Sequence, residues 1–190
     1  MPQENDARKK KHPLTILGVG NVLCTDDGLG PAVVNRMMMH LEGRDVSILD
    51  GGTLGLALLP ILEDSESLIL VDAIRADGDP GTMIRLEGED VLPAVRTRLS
   101  VHQVGVADLL DAARLRDTMP DRIVLLGAIP ESIELGYGLS TPVSDSLNDL
   151  MAAVSEEVIR LGFQLEIRGT DEMVAQFNPR PASSLVPSGA

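Results

Sequence analysis

Short apolar runs alternate along the chain with longer segments in which apolar residues recur at helical spacing. Such short runs are typical of strands buried on both faces, and their alternation with helices is typical of a parallel sheet. The predicted strands cover residues 14–19, 46–50, 67–72, 82–86 and 122–128. The pattern therefore predicts a single three-layer α/β domain, with a mostly parallel sheet and helices on both faces.

Four helices are predicted between and after these strands. The first has Pro31 as its opening residue and ends at Gly43. The segment 54–62 is apolar on nearly every side, which predicts a short, well-buried helix. A third helix is predicted from His102, after a loop over residues 96–100, and the last runs from Thr141 to Gly162.

The two ends of the chain are polar and lack hydrophobic periodicity. Residues 1–12 and 169–190 are predicted to be disordered tails, and residues 13–168 to form the domain. A basic run before an apolar stretch ending at Cys24 has the outline of an export signal. However, Leu23 stands where a small residue is needed, and two acids follow directly. The lone Cys24 cannot form an internal disulfide, so we expect a cytoplasmic protein.

Composition and charge exclude several classes of partner. Only 2 % of residues are aromatic and none is Trp, so aromatic platforms that stack single-stranded bases are not expected. The net charge of −13 repels phosphate backbones and anionic lipid. We therefore expect no nucleic-acid partner and no membrane partner.

Gly18 and Gly20 follow the first predicted strand, as glycines do in dinucleotide-binding turns. The third glycine of that fingerprint is replaced by Leu23, and Asp26 and Asp27 place negative charge at the same turn. This pattern makes a nucleotide site an unfavoured alternative.

Three acids are predicted to meet at one edge of the sheet. Asp27 lies in the loop after the first strand, while Asp50 and Asp72 end the second and third strands. Ligand sites of open α/β sheets form at this carboxyl edge. With His102, Asp27 and Asp72 would supply one nitrogen and two carboxylates, a donor set suited to Zn²⁺ or Ni²⁺. Helix capping by Asp50 and amide binding by Asp72 are the structural alternatives.

The motif set resembles the [NiFe]-hydrogenase maturation endopeptidases. The resemblance covers roughly residues 14–162, and its motifs follow the family's order and spacing. They are G-V-G-N at 18–21, T-D-D-G-L-G at 25–30, D-G-G-T-L-G-L at 50–56, V-D-A-I at 71–74, P-G-T at 80–82, V-H-Q-V-G at 101–105 and G-A-I-P-E-S at 127–132.

This resemblance implies a metal-dependent endopeptidase that trims the C-terminal extension of the nickel-loaded hydrogenase large-subunit precursor. It implies metal contacts from Asp27, Asp72 and His102, with Asp27 standing where many members have Glu. Nickel would arrive on the substrate, while Zn²⁺ or Cd²⁺ would occupy the same ligands in vitro. Asp50 is a candidate supporting acid or base, and residues 51–53 are candidates for selecting the precursor. We expect a monomer.

Two alternatives to this function arise from the same residues. A non-catalytic nickel carrier or metal-sensing accessory protein would use the same three ligands but would cleave nothing. Cys24 as a nucleophile would need a histidine partner, and no motif supplies one.

Overall fold

The computed structural model describes residues 12–98 and 104–167, together with the backbone of residues 186–187. Six strands of this part form the main sheet: β1 (His12–Val19), β3 (Val46–Gly52), β4 (Ser65–Ala73), β5 (Met83–Glu87), β6 (Arg122–Ala128) and β8 (Val186–Pro187). β2 (Leu41–Glu42) and β7 (Glu166–Ile167) form a separate short pair. β8 (Val186–Pro187) pairs with β5 inside the segment that was predicted to be a tail.

The sheet order is β3-β1-β4-β6-β5-β8, with β3, β1, β4 and β6 all parallel. β5 runs antiparallel to β6. The mostly parallel α/β sheet is thus confirmed, and all five predicted strands are present, with ends that differ by at most two residues. β1 begins at His12, whose ring Nδ1 lies 2.9 Å from Ser47 Oγ, so this histidine belongs to the sheet rather than to a tail.

In the described part of the chain, five α-helices cover the sheet: α1 (Leu29–His40), α2 (Leu59–Glu63), α3 (Val91–Arg98), α4 (Val104–Leu115) and α5 (Thr141–Arg160). Two apolar clusters lie on opposite faces of the sheet. One contains buried residues of α1 and α5, and the other contains buried residues of α2, α3 and α4. The three-layer prediction is therefore correct. Among the described residues, no helix combines the length and apolar character needed to cross a bilayer.

Three local predictions differ from the structure. The segment 54–62 is a 3-10 turn (Gly55–Leu58) followed by the single-turn α2, and Leu54 and Leu56 are exposed rather than buried. The predicted loop over residues 96–100 overlaps α3, whose Pro93 sits in the first turn, where proline is tolerated. The fold also starts α1 two residues before Pro31.

Close contact between α1 and the sheet fixes the turn that precedes α1. A Cβ on Gly30 would lie 2.3 Å from the carbonyl oxygens of Val19 and Val71, and one on Gly18 would lie 2.4 Å from Gly30 O. Only glycine permits this approach of helix and strand backbones. The connection between β1 and α1 is consequently held against the carboxyl edge of the sheet.

A buried ion pair joins α5 to the outer part of the sheet. Glu157 accepts hydrogen bonds from Arg85 Nε at 2.8 Å and Arg85 Nη2 at 3.0 Å, and another from Arg160 at 2.9 Å. The bond to Glu157 raises the pKa of the Arg85 guanidinium. Arg85 in turn lowers the pKa of the exposed Glu87 by hydrogen bonding to it. This network links β5 to α5 and has a structural role.

Candidate active site

Asp72 lies at the carboxyl end of the central strand β4 and is fully buried. Its Oδ1 accepts a hydrogen bond from Ala73 N at 2.7 Å, which orients the carboxylate at the strand end. Its register partner on β6 is Gly127, where a Cβ would lie 1.9 Å from Asp72 O. The absence of a side chain at Gly127 therefore lets the two strands stay paired up to the position of Asp72.

Asp27 lies in the 3-10 turn Thr25–Gly28 and is also buried. Its Oδ2 accepts a hydrogen bond from Asn21 N at 2.9 Å. Gly20 has a φ of 133°, and a Cβ there would lie 1.8 Å from Asp27 O, so glycine is required for the turn to close. This turn contacts β4, which places Asp27 at the same edge of the sheet as Asp72.

A small cavity of about 20 Å³ lies beside Asp27. Backbone-rich segments of three connections line it, namely Gly20, Gly52, Thr53, Gly55, Gly105 and Val106. A cavity of this size holds about one water-sized ligand. Gly55 and Gly105 bring two of these segments into contact, since a Cβ on Gly105 would lie 2.9 Å from Gly55 Cα.

His102, the predicted nitrogen ligand, lies outside the described residues. The described residues begin again at Val104, and Gly105 and Val106 line the cavity together with Asp27. Within residues 12–98 and 104–167, no three His, Cys, Asp or Glu side chains are grouped closely enough to hold a metal. Asp27 and Asp72 suit a divalent cation as oxygen donors, and a three-ligand site would require a further group such as His102.

Asp26, which was not singled out as a site residue, is a buried hydrogen-bond acceptor. Its Oδ2 accepts from Glu131 N at 2.8 Å, Ser132 N at 3.1 Å and Ser140 Oγ at 2.8 Å, while its Oδ1 accepts from Ser140 N at 2.7 Å. Thr25, whose φ is 44°, donates its hydroxyl to Ser132 O at 2.7 Å. The turn that holds Asp27 is thereby fastened to the loop after β6. The T-D-D-G motif at residues 25–28 was the sequence signal that could have pointed to Asp26. The residues that Asp26 binds, however, lie more than 100 positions away along the chain.

The family model described as hydrogenase maturation protease matches residues 31–157. The chain belongs to the hydrogenase maturation protease family.

Relatives of this protease agree with that assignment. The hydrogenase 2 maturation protease of Escherichia coli strain K12 is 38 % identical over 149 residues, covering 75 % of this chain and 91 % of that protein. The hydrogenase expression/formation protein HupD of Rhodobacter capsulatus is 36 % identical over 160 residues, covering 82 % and 76 %. The structure of the hydrogenase maturating endopeptidase HybD from E. coli superposes with a TM-score of 0.77 at 35 % identity, covering 82 % and 98 %.

Asp50 of this maturation protease occupies a different position from Asp27 and Asp72. It is exposed at the end of β3, and it does not line the small cavity. Its Oδ1 accepts from Gly52 N at 3.0 Å, and its Oδ2 accepts from Asn35 Nδ2 at 2.8 Å. Gly52 has a φ of 44°, so the Asp50 carboxylate closes a turn that needs glycine and that brings Gly52 and Thr53 to the cavity.

Gly18 and Gly20, in the connection after β1, allow close contacts between backbone segments of the protease itself. Gly18 is in contact with Gly30, and Gly20 is in contact with Asp27. These packing roles explain the G-x-G spacing without a nucleotide phosphate.

Cys24 is buried, and its Sγ accepts from Asn21 Nδ2 at 3.3 Å. Among the described residues the histidines are His12, which begins β1, and His40, which ends α1. Both therefore lie toward the amino edge of the sheet, opposite the connection that contains Cys24. Neither is placed to activate this thiol.

Proposed function

We propose that this maturation protease is an endopeptidase that removes the C-terminal extension of a [NiFe]-hydrogenase large-subunit precursor after nickel has been inserted. One observation carries the proposal: a chain of this family holds two buried carboxylates, Asp27 and Asp72, at the carboxyl edge of its sheet, with Asp27 beside a cavity of about 20 Å³. Its relatives include a hydrogenase 2 maturation protease and a hydrogenase maturating endopeptidase, which supports this substrate class.

The two carboxylates are suited to recognising a metal ion that the precursor carries. Asn21 N orients Asp27, and Ala73 N orients Asp72, so both side chains are positioned before substrate arrives. Their burial strengthens any attraction to a cation, because the local dielectric constant is low. In this proposal Asp27, Asp72 and His102 contact the nickel of the precursor and check that it is present. An ion so placed can polarise the scissile carbonyl or lower the pKa of an attacking water.

The first test is the mass of a purified large-subunit precursor before and after incubation with the protein. We expect the loss of one discrete C-terminal peptide from nickel-loaded precursor and no loss from nickel-free precursor. The His102→Ala protein should leave both precursors intact, since it lacks the proposed nitrogen ligand. Unchanged mass with every precursor, together with tight metal binding by the free protein, would instead indicate a metal carrier.

Asp50 is proposed to support the site, and its contacts favour a positioning role over proton transfer. Asp50→Asn retains an oxygen for Gly52 N, and a flip of the Asn35 amide restores the second hydrogen bond. We therefore expect Asp50→Asn to cleave at close to the wild-type rate with the same pH profile.

Asp50→Ala removes both contacts and serves as the comparison. It should lower the cleavage rate roughly tenfold, because the Gly52 turn loses its acceptor. A direct role as an acid or base would show itself differently: Asp50→Asn would then be as slow as Asp50→Ala, and one limb of the pH–rate profile would disappear.

A further inference from the structure

Four large apolar side chains are exposed close to the buried carboxylates. Val22 and Leu23 follow β1 and are 54 % and 44 % exposed, and Leu135 and Tyr137 follow β6 and are 86 % and 87 % exposed. Clustered exposed apolar side chains mark interaction sites more often than isolated ones do. We call these four residues the apolar platform.

The two halves of the apolar platform are joined through their backbones. Gly136 N donates to Leu23 O at 2.9 Å, Thr25 N donates to Gly136 O at 3.0 Å, and Cys24 and Gly136 form a parallel bridge. A Cβ on Gly136 would lie 2.8 Å from Thr25 Cγ2, so glycine allows the loops to meet. Leu135 and Tyr137 flank this glycine, and they are therefore presented on an ordered segment.

The platform is also continuous with the candidate active site. Leu23 is followed directly by the turn Thr25–Gly28, which contains Asp27. Asp26 in the same turn holds the other half of the platform through the amides of Glu131, Ser132 and Ser140. A chain lying on the platform would thus enter the site within a few residues.

The charge around the platform favours a cationic partner. Glu131 and Glu134 are exposed in the loop after β6, and residues 20–28 and 129–140 contain no Lys or Arg. The neighbouring loop after β4 adds exposed Asp77 and Asp79 against one arginine, Arg75. The whole chain carries a net charge of −13. Opposite charge on a partner accelerates and orients its association.

We propose that the apolar platform is the docking surface for the hydrogenase precursor, and that it takes a segment of the precursor that combines apolar residues with Lys or Arg. This inference rests on the proposed function for the identity of the partner. Leu135 and Tyr137 supply the apolar contact, and Glu131 and Glu134 supply the complementary charge.

The test measures the affinity for nickel-loaded precursor in an Asp27→Asn background, in which the precursor is consumed far more slowly than by the parent protein. Leu135→Ser with Tyr137→Ser should weaken binding on the order of tenfold or more. The matched control is Leu115→Ser with Ile159→Ser, which removes two side chains that are 89 % and 68 % exposed near the ends of α4 and α5. The control should bind like the parent, and equal affinity of the platform variant and the control would overturn the proposal.

Charge is tested with Glu131→Gln and Glu134→Gln together. This variant should bind several-fold more weakly at low salt, and the difference should shrink at high salt. No change at any salt concentration would overturn the cationic part of the proposal.

Cleavage by the same surface variants with Asp27 intact separates this inference from the proposed function. If wild-type protein cleaves and the platform variant cleaves and binds equally well, the docking surface is wrong while the function stands. If precursor binds in a platform-dependent way but is never cleaved, the function is wrong while the docking surface stands. Absence of any binding to the precursor overturns the docking proposal.

Discussion

Asp27→Asn is expected to slow cleavage of the nickel-loaded precursor on the order of a hundredfold or more, while the protein stays folded. Effects of this size are typical when one charged or hydrogen-bonding group is removed from a catalytic site. The amide can still accept the hydrogen bond from Asn21 N, so this contact within the turn is kept while the negative charge is lost. Initial rates of peptide release, measured by mass spectrometry at saturating and at low precursor, check this prediction.

Asp27→Glu is the matched control because it keeps the carboxylate and adds one methylene next to the small cavity. It should retain substantial activity, with any loss arising from the displaced carboxylate. A fully active Asp27→Asn protein would remove Asp27 from the proposed metal contact. Equal inactivity of the Asn and Glu variants, with lowered thermal stability in both, would point to a packing role instead.

The central strands could be predicted because a strand buried on both faces needs an unbroken apolar run. Residues 68–71 are such a run, and they form the centre of β4. The direction of β5 could not be predicted, because its side-chain pattern is the same whether it runs parallel or antiparallel to β6. The two-residue strands β2 and β7 are too short to leave a periodic signal.

Burial was predicted less well than secondary structure at the edge that carries the site. Leu54 and Leu56 are as apolar as core residues, yet both are exposed. Hydrophobicity shows that a side chain favours burial, but it does not show whether other residues of the same chain pack over it. The same limit applies to Leu135 and Tyr137, whose exposure the sequence did not reveal.

Part of the candidate site could be predicted from the topology of the sheet. Asp72 could be placed because parallel strands expose their carboxyl ends on one edge, and Asp27 follows from the connection after β1. The hydrogen-bonding role of Asp26 could not be predicted, since Asp26 and Asp27 are adjacent acids in the same short turn. Their difference arises from partners in the loop after β6, which only the folded chain brings near.

Asp26→Asn is expected to destabilise the fold by roughly 2–4 kcal/mol, because a buried carboxylate that accepts four hydrogen bonds loses part of its acceptor capacity. The best orientation keeps oxygen toward Glu131 N, Ser132 N and Ser140 Oγ. It then turns the new NH₂ group against Ser140 N, so two donors face each other. For a protein of this size the loss corresponds to a melting temperature lower by roughly 5–15 °C, measurable by circular dichroism.

The matched control for Asp26→Asn is Asp145→Asn, which removes the same charge at an exposed position of α5. It should change stability by less than about 0.5 kcal/mol. Hydrogen exchange gives the local readout, since the amides of Glu131, Ser132 and Ser140 are the groups that Asp26 binds. These amides should exchange faster in Asp26→Asn and not in the control. Unchanged exchange and an unchanged melting temperature would contradict the role assigned to Asp26.

The same substitution also separates the two neighbouring acids by their kinetic effects. Asp26 fastens the loop that presents Leu135 and Tyr137, so its loss should loosen the apolar platform and raise KM for the precursor more than it lowers kcat. Asp27 is proposed to contact the nickel of the precursor, so its loss should lower kcat at saturating precursor. Asp26 and Asp27 are adjacent and both buried. If both substitutions merely disturbed the structure of the turn, KM and kcat would change together in both variants. Opposite kinetic patterns would show that one short turn both builds the binding surface and supplies the carboxylate for cleavage.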